Sequence, residues 1–196
     1  MKKILVTGLA IGIAAIWLVD ISQATPLQFS GNGHWYDVID VPGITWTEAN
    51  TIAGSSIYGG LGGHLATITS DEENNFIFSS FGVNNRPLWL GGFQEPLTPE
   101  PFGDWQWVTG ESWLYSNWTG GEPNNFDTGN EDALAFAWFS ADGSWNDAPM
   151  EWKNYENGGF VVEYESAPVP EPATMLLLGS GLLGLAGCRR GRKKEK

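Results

Sequence analysis

The chain predicts an α+β domain with two helices in its first half, short strands between turns, and a long irregular region in its second half. Three observations lead there. Trp46, Ala49, Ile52 and Ala53 recur at helical spacing, and Ser70-Asp71-Glu72-Glu73 opens a second helical stretch. Extended apolar runs at 87–92, 133–139 and 159–164 are too short for helices. From Phe93 to about Asn130 the chain is rich in Gly, Asn and Pro, which reads as loop.

Taken in order, His34 to Val38 is predicted as the first strand and Thr45 to Ser55 as the first helix. Gly59 to Gly63 reads as a flexible break, followed by a short extended piece, His64 to Thr67. Ser70 is placed to cap the second helix and Glu73 to complete a capping box; Asn75, Phe76 and Phe78 carry the helix onward. Pro87 to Gly92 is a strand centred on Trp89, and Trp105 to Val108 a strand that interrupts the long loop. Ala133 to Phe139 and Gly159 to Tyr164 are the last two strands. A loop this long in a compact domain points to function. Trp113, Tyr115, Trp118 and Phe126 punctuate it and argue that it packs rather than wanders.

The two ends read as addresses. Lys2 and Lys3 precede the apolar run Ile4 to Val19, and Ser22-Gln23-Ala24 is a small-x-small pattern. Residues 1–24 are therefore expected to be a secretory signal peptide cut after Ala24. At the other end Pro170-Glu171-Pro172 leads into an apolar stretch at 173–187 and then a basic block from Arg189 to Lys194. The stretch is marginal for a bilayer of about 30 Å, and the basic block would stay on the cytoplasmic side. Motif, short apolar helix and basic tail in this order resemble the PEP-CTERM sorting signal of Gram-negative bacteria. That resemblance implies a transient inner-membrane anchor at 173–187, recognition of Pro170, Glu171 and Pro172 by an exosortase, and removal of the tail. The expected organisation is thus 1–24 signal peptide, 25–166 globular domain and 167–196 sorting signal.

Between these ends the charge is lopsided. The chain has 23 acidic and 10 basic residues; Asp20, Glu171, Glu195 and every base except Arg86 and Lys153 lie outside residues 25–168. That leaves 20 acids against 2 bases, a formal −18. Such a surface repels nucleic-acid phosphates and anionic membranes and suits a cation-binding protein. The only cysteine, Cys188, lies in the tail, so the exported domain has no disulfide and must be held by its core and by any metal it binds. The chain's 11 Trp, 10 Phe and 5 Tyr supply that core. His34 and His64 lack any zinc-site context and are expected to satisfy backbone groups; Trp105, Trp107 and Trp145 are expected in the core, with Trp118 or Phe126 able to border a site.

Three oxygen-rich clusters lie in the loop-rich second half: Glu122-Pro123-Asn124, Glu131-Asp132 and Trp145-Asn146-Asp147. Carboxylate and amide oxygens on convergent loops are what calcium requires, since it takes roughly 6–8 oxygen ligands at about 2.3–2.6 Å. The alternative is that these residues are turn formers in a fold without metal. An EF-hand is excluded, because 142–147 lacks that loop's ligand spacing and glycine position.

In order, these parts resemble the C-type lectin-like domain over His34 to Tyr164. The first helix with Trp46 and Ala49, then Gly63 to Ile68 and Ser70 to Phe76, are similar to its two-helix half. Leu88-Trp89-Leu90-Gly91 resembles its central core strand, Trp105-Gln106-Trp107 the strand entering the long loop, and Val161-Val162-Glu163-Tyr164 its closing strand. Glu122-Pro123-Asn124, Gly129 to Asp132 and Trp145-Asn146-Asp147 resemble its calcium and sugar site. The chain departs from the family where Ala133 and Val162 replace the usual cysteines. Asn125 stands where an acid often supports an auxiliary calcium site.

The resemblance implies one Ca2+ held by Glu122, Asn124, Glu131, Asn146 and Asp147, with Pro123 cis. It implies sugar hydroxyls bound by Glu122, Asn124, Glu131 and Asn146, in the mannose-type arrangement. The step from Asn124 to Glu131 is one residue longer than usual, so Asp132 and Asp127 compete for the middle position. The expected function is a calcium-dependent, mannose-type lectin that binds a glycan or exopolysaccharide at the cell surface or in the extracellular matrix. The alternative is a structural or protein-binding matrix component on the same fold. No enzyme is expected, since no nucleophile–base pair or catalytic acid pair stands out.

Overall fold

The computed structural model describes residues 25–95, 101–126, 130–153 and 156–165. The signal peptide, the sorting signal with its apolar segment, Asp127 and Gly129 lie outside the described residues. No helix among the described residues is long and apolar enough to cross a membrane.

The element order is β1 (Leu27–Gln28), β2 (Trp35–Asp40), α1 (Trp46–Ser55), β3 (Ile57–Tyr58), β4 (Leu61–Leu65), α2 (Asp71–Ser80), β5 (Leu88–Phe93), β6 (Gln106–Trp107), β7 (Ala133–Phe136), β8 (Trp145–Ala148) and β9 (Gly159–Tyr164). This is the expected α+β arrangement of two helices and short strands. Several details differ from the expectation; among them, β7 ends at Phe136 rather than Phe139. Gly62 and Gly63 do not break the chain but lie inside β4, which forms a hairpin with β3. Trp145-Asn146-Asp147 is a strand rather than a loop, because its backbone pairs with β7 from Ala133↔Ala148 to Phe136↔Trp145. Leu27–Gln28 adds a short edge strand on β2.

The helix starts follow from their caps. Thr45 accepts the Glu48 amide while Glu48 returns to the Thr45 amide, a reciprocal capping box. Ser70 accepts the Glu73 amide at 3.2 Å, but Glu73 does not complete a second box. Its carboxylate is drawn into the core instead, where it accepts from the Thr69 amide and hydroxyl at 2.8 and 3.0 Å.

The closing strand organises the sheet. β9 pairs antiparallel with β2 over six positions, from Trp35↔Tyr164 to Asp40↔Gly159, and with β4. It also runs parallel to β5. Beyond β5 come β7 and then β8, so the predicted core strand connects the terminal half of the domain to the site-bearing half. Gly91 in β5 has a specific reason to be glycine. Its amide donates to Ala66 O at 2.8 Å, and a Cβ there would stand 2.6 Å from Leu65 O.

Each face of the sheet carries a core. One holds α1 through Trp46, Ala49 and Ala53 against Leu65, Trp89, Phe160 and Val162. The Trp46 indole donates to Leu90 O at 2.8 Å and the Trp89 indole to Ile44 O at 3.0 Å, so both tryptophans bury area with their N–H satisfied. Ile52, predicted to share this face, is 40% exposed. The other core holds Ile77 of α2 with Tyr36, Leu90, Trp105, Trp107, Leu134, Phe136 and Trp145. Trp113, Tyr115 and Trp118 pack against it, which ties down the loop over 113–118. These packed layers stand where disulfides would otherwise serve.

Candidate functional site

The site is built where the long loop meets β7 and β8. Strand β8 is fixed first. The Trp145 amide donates to Asn117 O at 2.7 Å and the Thr119 amide to Trp145 O at 3.0 Å, which clamps the loop alongside the strand. Trp145 is fully buried, with Trp107, Trp118 and Tyr115 meeting it edge-on. Its indole donates to Asn74 Oδ1 at 2.8 Å, and Asn74 Nδ2 donates to Gly143 O at 3.0 Å. Helix α2 thereby holds both the strand and the turn that precedes it. Gly143 adopts φ 76° there, and a Cβ would stand 2.9 Å from the Phe78 ring.

With β8 in place, Asp147 reaches back into the loop. Its Oδ2 accepts the Asn124 and Asn125 amides, each at 3.0 Å. The Glu122–Pro123 peptide bond is cis, as the resemblance implied. Glu131 arrives from the other side of the loop. Its Oε2 accepts the Phe126 amide at 2.6 Å, and its own amide donates to Asn125 Oδ1 at 3.1 Å. Three of the five candidate ligands, Glu122, Glu131 and Asp147, therefore present carboxylates to one small region.

Two of those carboxylates cannot coexist there as bare anions without compensation. Glu122 lies within hydrogen-bonding reach of Asp147, and a shared proton or a cation between them would relieve their repulsion. Glu122 is pushed up to about 7, first by burial and then by the hydrogen bond to Asp147 and the charges of Asp147 and Glu131. Glu131 is likewise pushed up to about 7 by burial and by the Asp147 charge, against the opposing pull of the Phe126 amide. Apart from each other, Glu122 Oε2 and Asp147 Oδ1 are buried without a hydrogen-bond donor. Buried acceptors of this kind are costly unless something positive meets them.

The two amide candidates are placed differently. Asn146 is buried on β8, and its Nδ2 donates to Asp147 O. Asn124 is exposed, contributing its backbone amide to Asp147. Asp132, the competitor for the middle position, accepts from Asn130 Nδ2 at 2.6 Å. Among the described residues no three His, Cys, Asp or Glu side chains stand close enough to form a finished metal cage. The carboxylates are convergent and electrically coupled, but not closed around a point.

Trp105 and Trp107 are core residues, as read from the sequence. Trp118 stacks on Trp113 within the aromatic cluster, whereas Phe126 stands 72% exposed beside Glu131. His64 Nδ1 pairs with a backbone carbonyl, Leu65 O, at 2.9 Å. His34 does not satisfy a backbone group; its Nδ1 meets Glu163 Oε1 at 2.6 Å, because β2 and β9 pair and bring the two together. Sequence reasoning did not single out Asn74 or assign Asn125 a part in the site. An asparagine inside a helix is a weak signal of side-chain bonding out of that helix. An Asn-Asn pair in a loop is a signal for a left-handed residue, and Asn125 has φ 51°.

Comparison with known proteins agrees with this architecture. The Lectin C-type domain family matches residues 45–156, more than half of the chain. The PEP-CTERM protein-sorting motif matches residues 168–190. Halomucin of Haloquadratum walsbyi is 30% identical over 146 residues, which are 68% of this chain and 1% of that protein. The C-type lectin lectoxin-Lio1 of Erythrolamprus poecilogyrus is 30% identical over 137 residues, 68% of this chain and 77% of its own length. The solved C-type lectin CEL-I of Cucumaria echinata superposes with a TM-score of 0.55 at 24% identity, over 67% of this chain and 89% of its own, which shows the shared fold. The chain belongs to the C-type lectin domain family and carries a PEP-CTERM sorting motif behind that domain.

Proposed function

We propose that this protein is a calcium-dependent carbohydrate-binding lectin of the mannose type, exported and displayed at the cell surface or in the extracellular matrix. One observation carries the reading: Glu122 and Asp147 lie within hydrogen-bonding reach, each with a buried oxygen that no other group donates to, and Glu131 is close enough to feel their charge. Hard, anionic and short of a positive partner, this donor set suits Ca2+. The ion would be held by Glu122, Asn124, Glu131, Asn146 and Asp147. When bound, calcium supplies a Lewis-acidic centre able to take two neighbouring hydroxyls of a sugar.

The chain's own residues do the rest. Glu122 and Glu131 accept hydrogen bonds from the hydroxyl protons; the Asn124 and Asn146 amides donate to the hydroxyl oxygens. Asp147 holds the loop by its two backbone bonds and supplies charge. The Glu-Pro-Asn order supports the mannose-type arrangement of donors and acceptors. Clustering on a surface would raise the avidity of a single site. The sorting motif supports export, with an exosortase-type enzyme as partner during processing.

Retention on mannose resin with and without EDTA, alongside calcium titration by calorimetry, tests the proposal. Calcium-dependent retention is expected. Retention indifferent to EDTA would overturn the calcium bridge. A flat calcium titration with no retention would favour the structural or protein-binding alternative.

A further inference from the structure

Glu131 is turned inward, with its carboxylate on the Phe126 amide and only 9% of the residue exposed. Asn125 Oδ1 accepts the Glu131 amide at 3.1 Å across six positions. The Asn125 amide meanwhile donates to Asp147 Oδ2 at 3.0 Å. Asn125 thus touches both walls of the cluster, one through its backbone and one through its side chain.

Resting on the calcium reading above, we propose that Asn125 is the positioning residue that seats Glu131 in the site. The choice of residue type follows from three requirements. The backbone is at φ 51°, a left-handed conformation that Gly, Asn and Asp tolerate best. Of these, glycine has no acceptor for the Glu131 amide. Aspartate has one, but would set a fourth carboxylate among Glu122, Glu131 and Asp147. Asparagine alone meets the backbone, provides the acceptor and stays neutral.

The test uses Asn125→Gly, which keeps the backbone conformation and deletes the acceptor, and Asn125→Asp, which restores it. On the full chain in EDTA, Asn125→Gly should speed hydrogen exchange at the Glu131 and Phe126 amides by about tenfold, the worth of one such bond, while Asn125→Asp keeps both amides protected. In calorimetry with calcium alone, Asn125→Gly should weaken binding by about tenfold on the same ground. Unchanged exchange at both amides in Asn125→Gly overturns the positioning role. So does calcium binding as tight as in the unsubstituted protein. If the unsubstituted protein takes up no calcium, the lectin reading and the positioning role fall together, whereas loss of the role alone leaves the lectin reading standing.

Discussion

A single carboxylate oxygen of Asp147 accepts the backbone amides of both Asn124 and Asn125, each at 3.0 Å, so strand β8 and the cis-proline loop are joined at one atom. Asp147→Asn keeps the size but removes the charge that binds these amides and repels Glu122. The substitution should abolish the calcium-dependent rise in thermal midpoint, because only the folded state presents the converging loops. Asn146→Ala should remove most of the same rise. Differential scanning fluorimetry with and without calcium checks both, and an undiminished shift in either variant would show that the ligand set is wrong.

Glu131→Gln separates stability from binding. Burial and the Asp147 charge both oppose ionisation of Glu131 in the fold. Without calcium at pH 8, the neutral amide should therefore raise the thermal midpoint, at a few degrees per kcal/mol for a domain of this size. With calcium the order should reverse, since the variant lacks one of the proposed charged ligands. A lower midpoint than the unsubstituted protein in EDTA would contradict the electrostatic account.

The pH dependence has a definite sign. Glu122 and Glu131 are raised in the fold to about 7, above their ordinary carboxylate values. The folded state then binds protons that the unfolded state has already released, so stability is greatest below about pH 4–5 on this account and falls as pH rises through about 7. In EDTA the midpoint should drop between pH 5 and 8. The midpoint gain from calcium should run the other way, growing toward pH 8, because an ion held by both groups, as proposed, requires them deprotonated. Thermal scans at fixed ionic strength across that range measure both trends.

A second buried network should add to the same slope. Glu73 and Glu163 are each 2% exposed and are bridged by the Tyr36 hydroxyl, which donates toward both. His34 stands against Glu163, whose hydrogen bond holds the imidazole above its ordinary value; burial pushes Glu73 upward too. A histidine raised in the fold stabilises below its unfolded pKa and loses that contribution as pH climbs through the folded one. His34→Gln should cost about 1 kcal/mol near pH 6, discounted for partial exposure, and much less at pH 9. A pH-independent cost, from denaturant melts at the two pH values, would show that the imidazolium is not the stabilising form.

Trp145→Phe probes the link from α2 to the site. It removes the indole N–H from Asn74 Oδ1, a bond of 2.8 Å, and part of the edge-on aromatic contact. Leaving Asn74 Oδ1 buried without its donor should cost about 1–3 kcal/mol. Calcium affinity should fall as well, because β8 carries Asn146 and Asp147. A double cycle with Asn74→Ala should show strong coupling; simple additivity would mean that the bond does not hold the strand.

Much of this protein was legible from its sequence, and for local reasons. The helix at Trp46–Ser55 announced itself by apolar spacing and that at Asp71–Ser80 by its Ser70 cap, and the strands at Leu88–Phe93 and Gly159–Tyr164 by short apolar runs. The oxygen-bearing chemistry of Glu122, Asn124, Glu131, Asn146 and Asp147 was equally visible, because donor type is a property of the residue. What the residues could not reveal alone was partnership. Whether Trp145-Asn146-Asp147 is loop or strand depends on β7 lying beside it, and the residues there carry no strong strand pattern of their own. Whether Glu73 completes its cap or turns inward depends on Tyr36, 37 positions away. That the Glu131 amide meets the side chain of Asn125, six positions away, is equally a matter of tertiary placement. Sequence determined which groups exist and which segments are regular; tertiary structure decided which carboxylates meet, because hydrogen bonds and charge act over a few ångströms of space, whatever the separation along the chain.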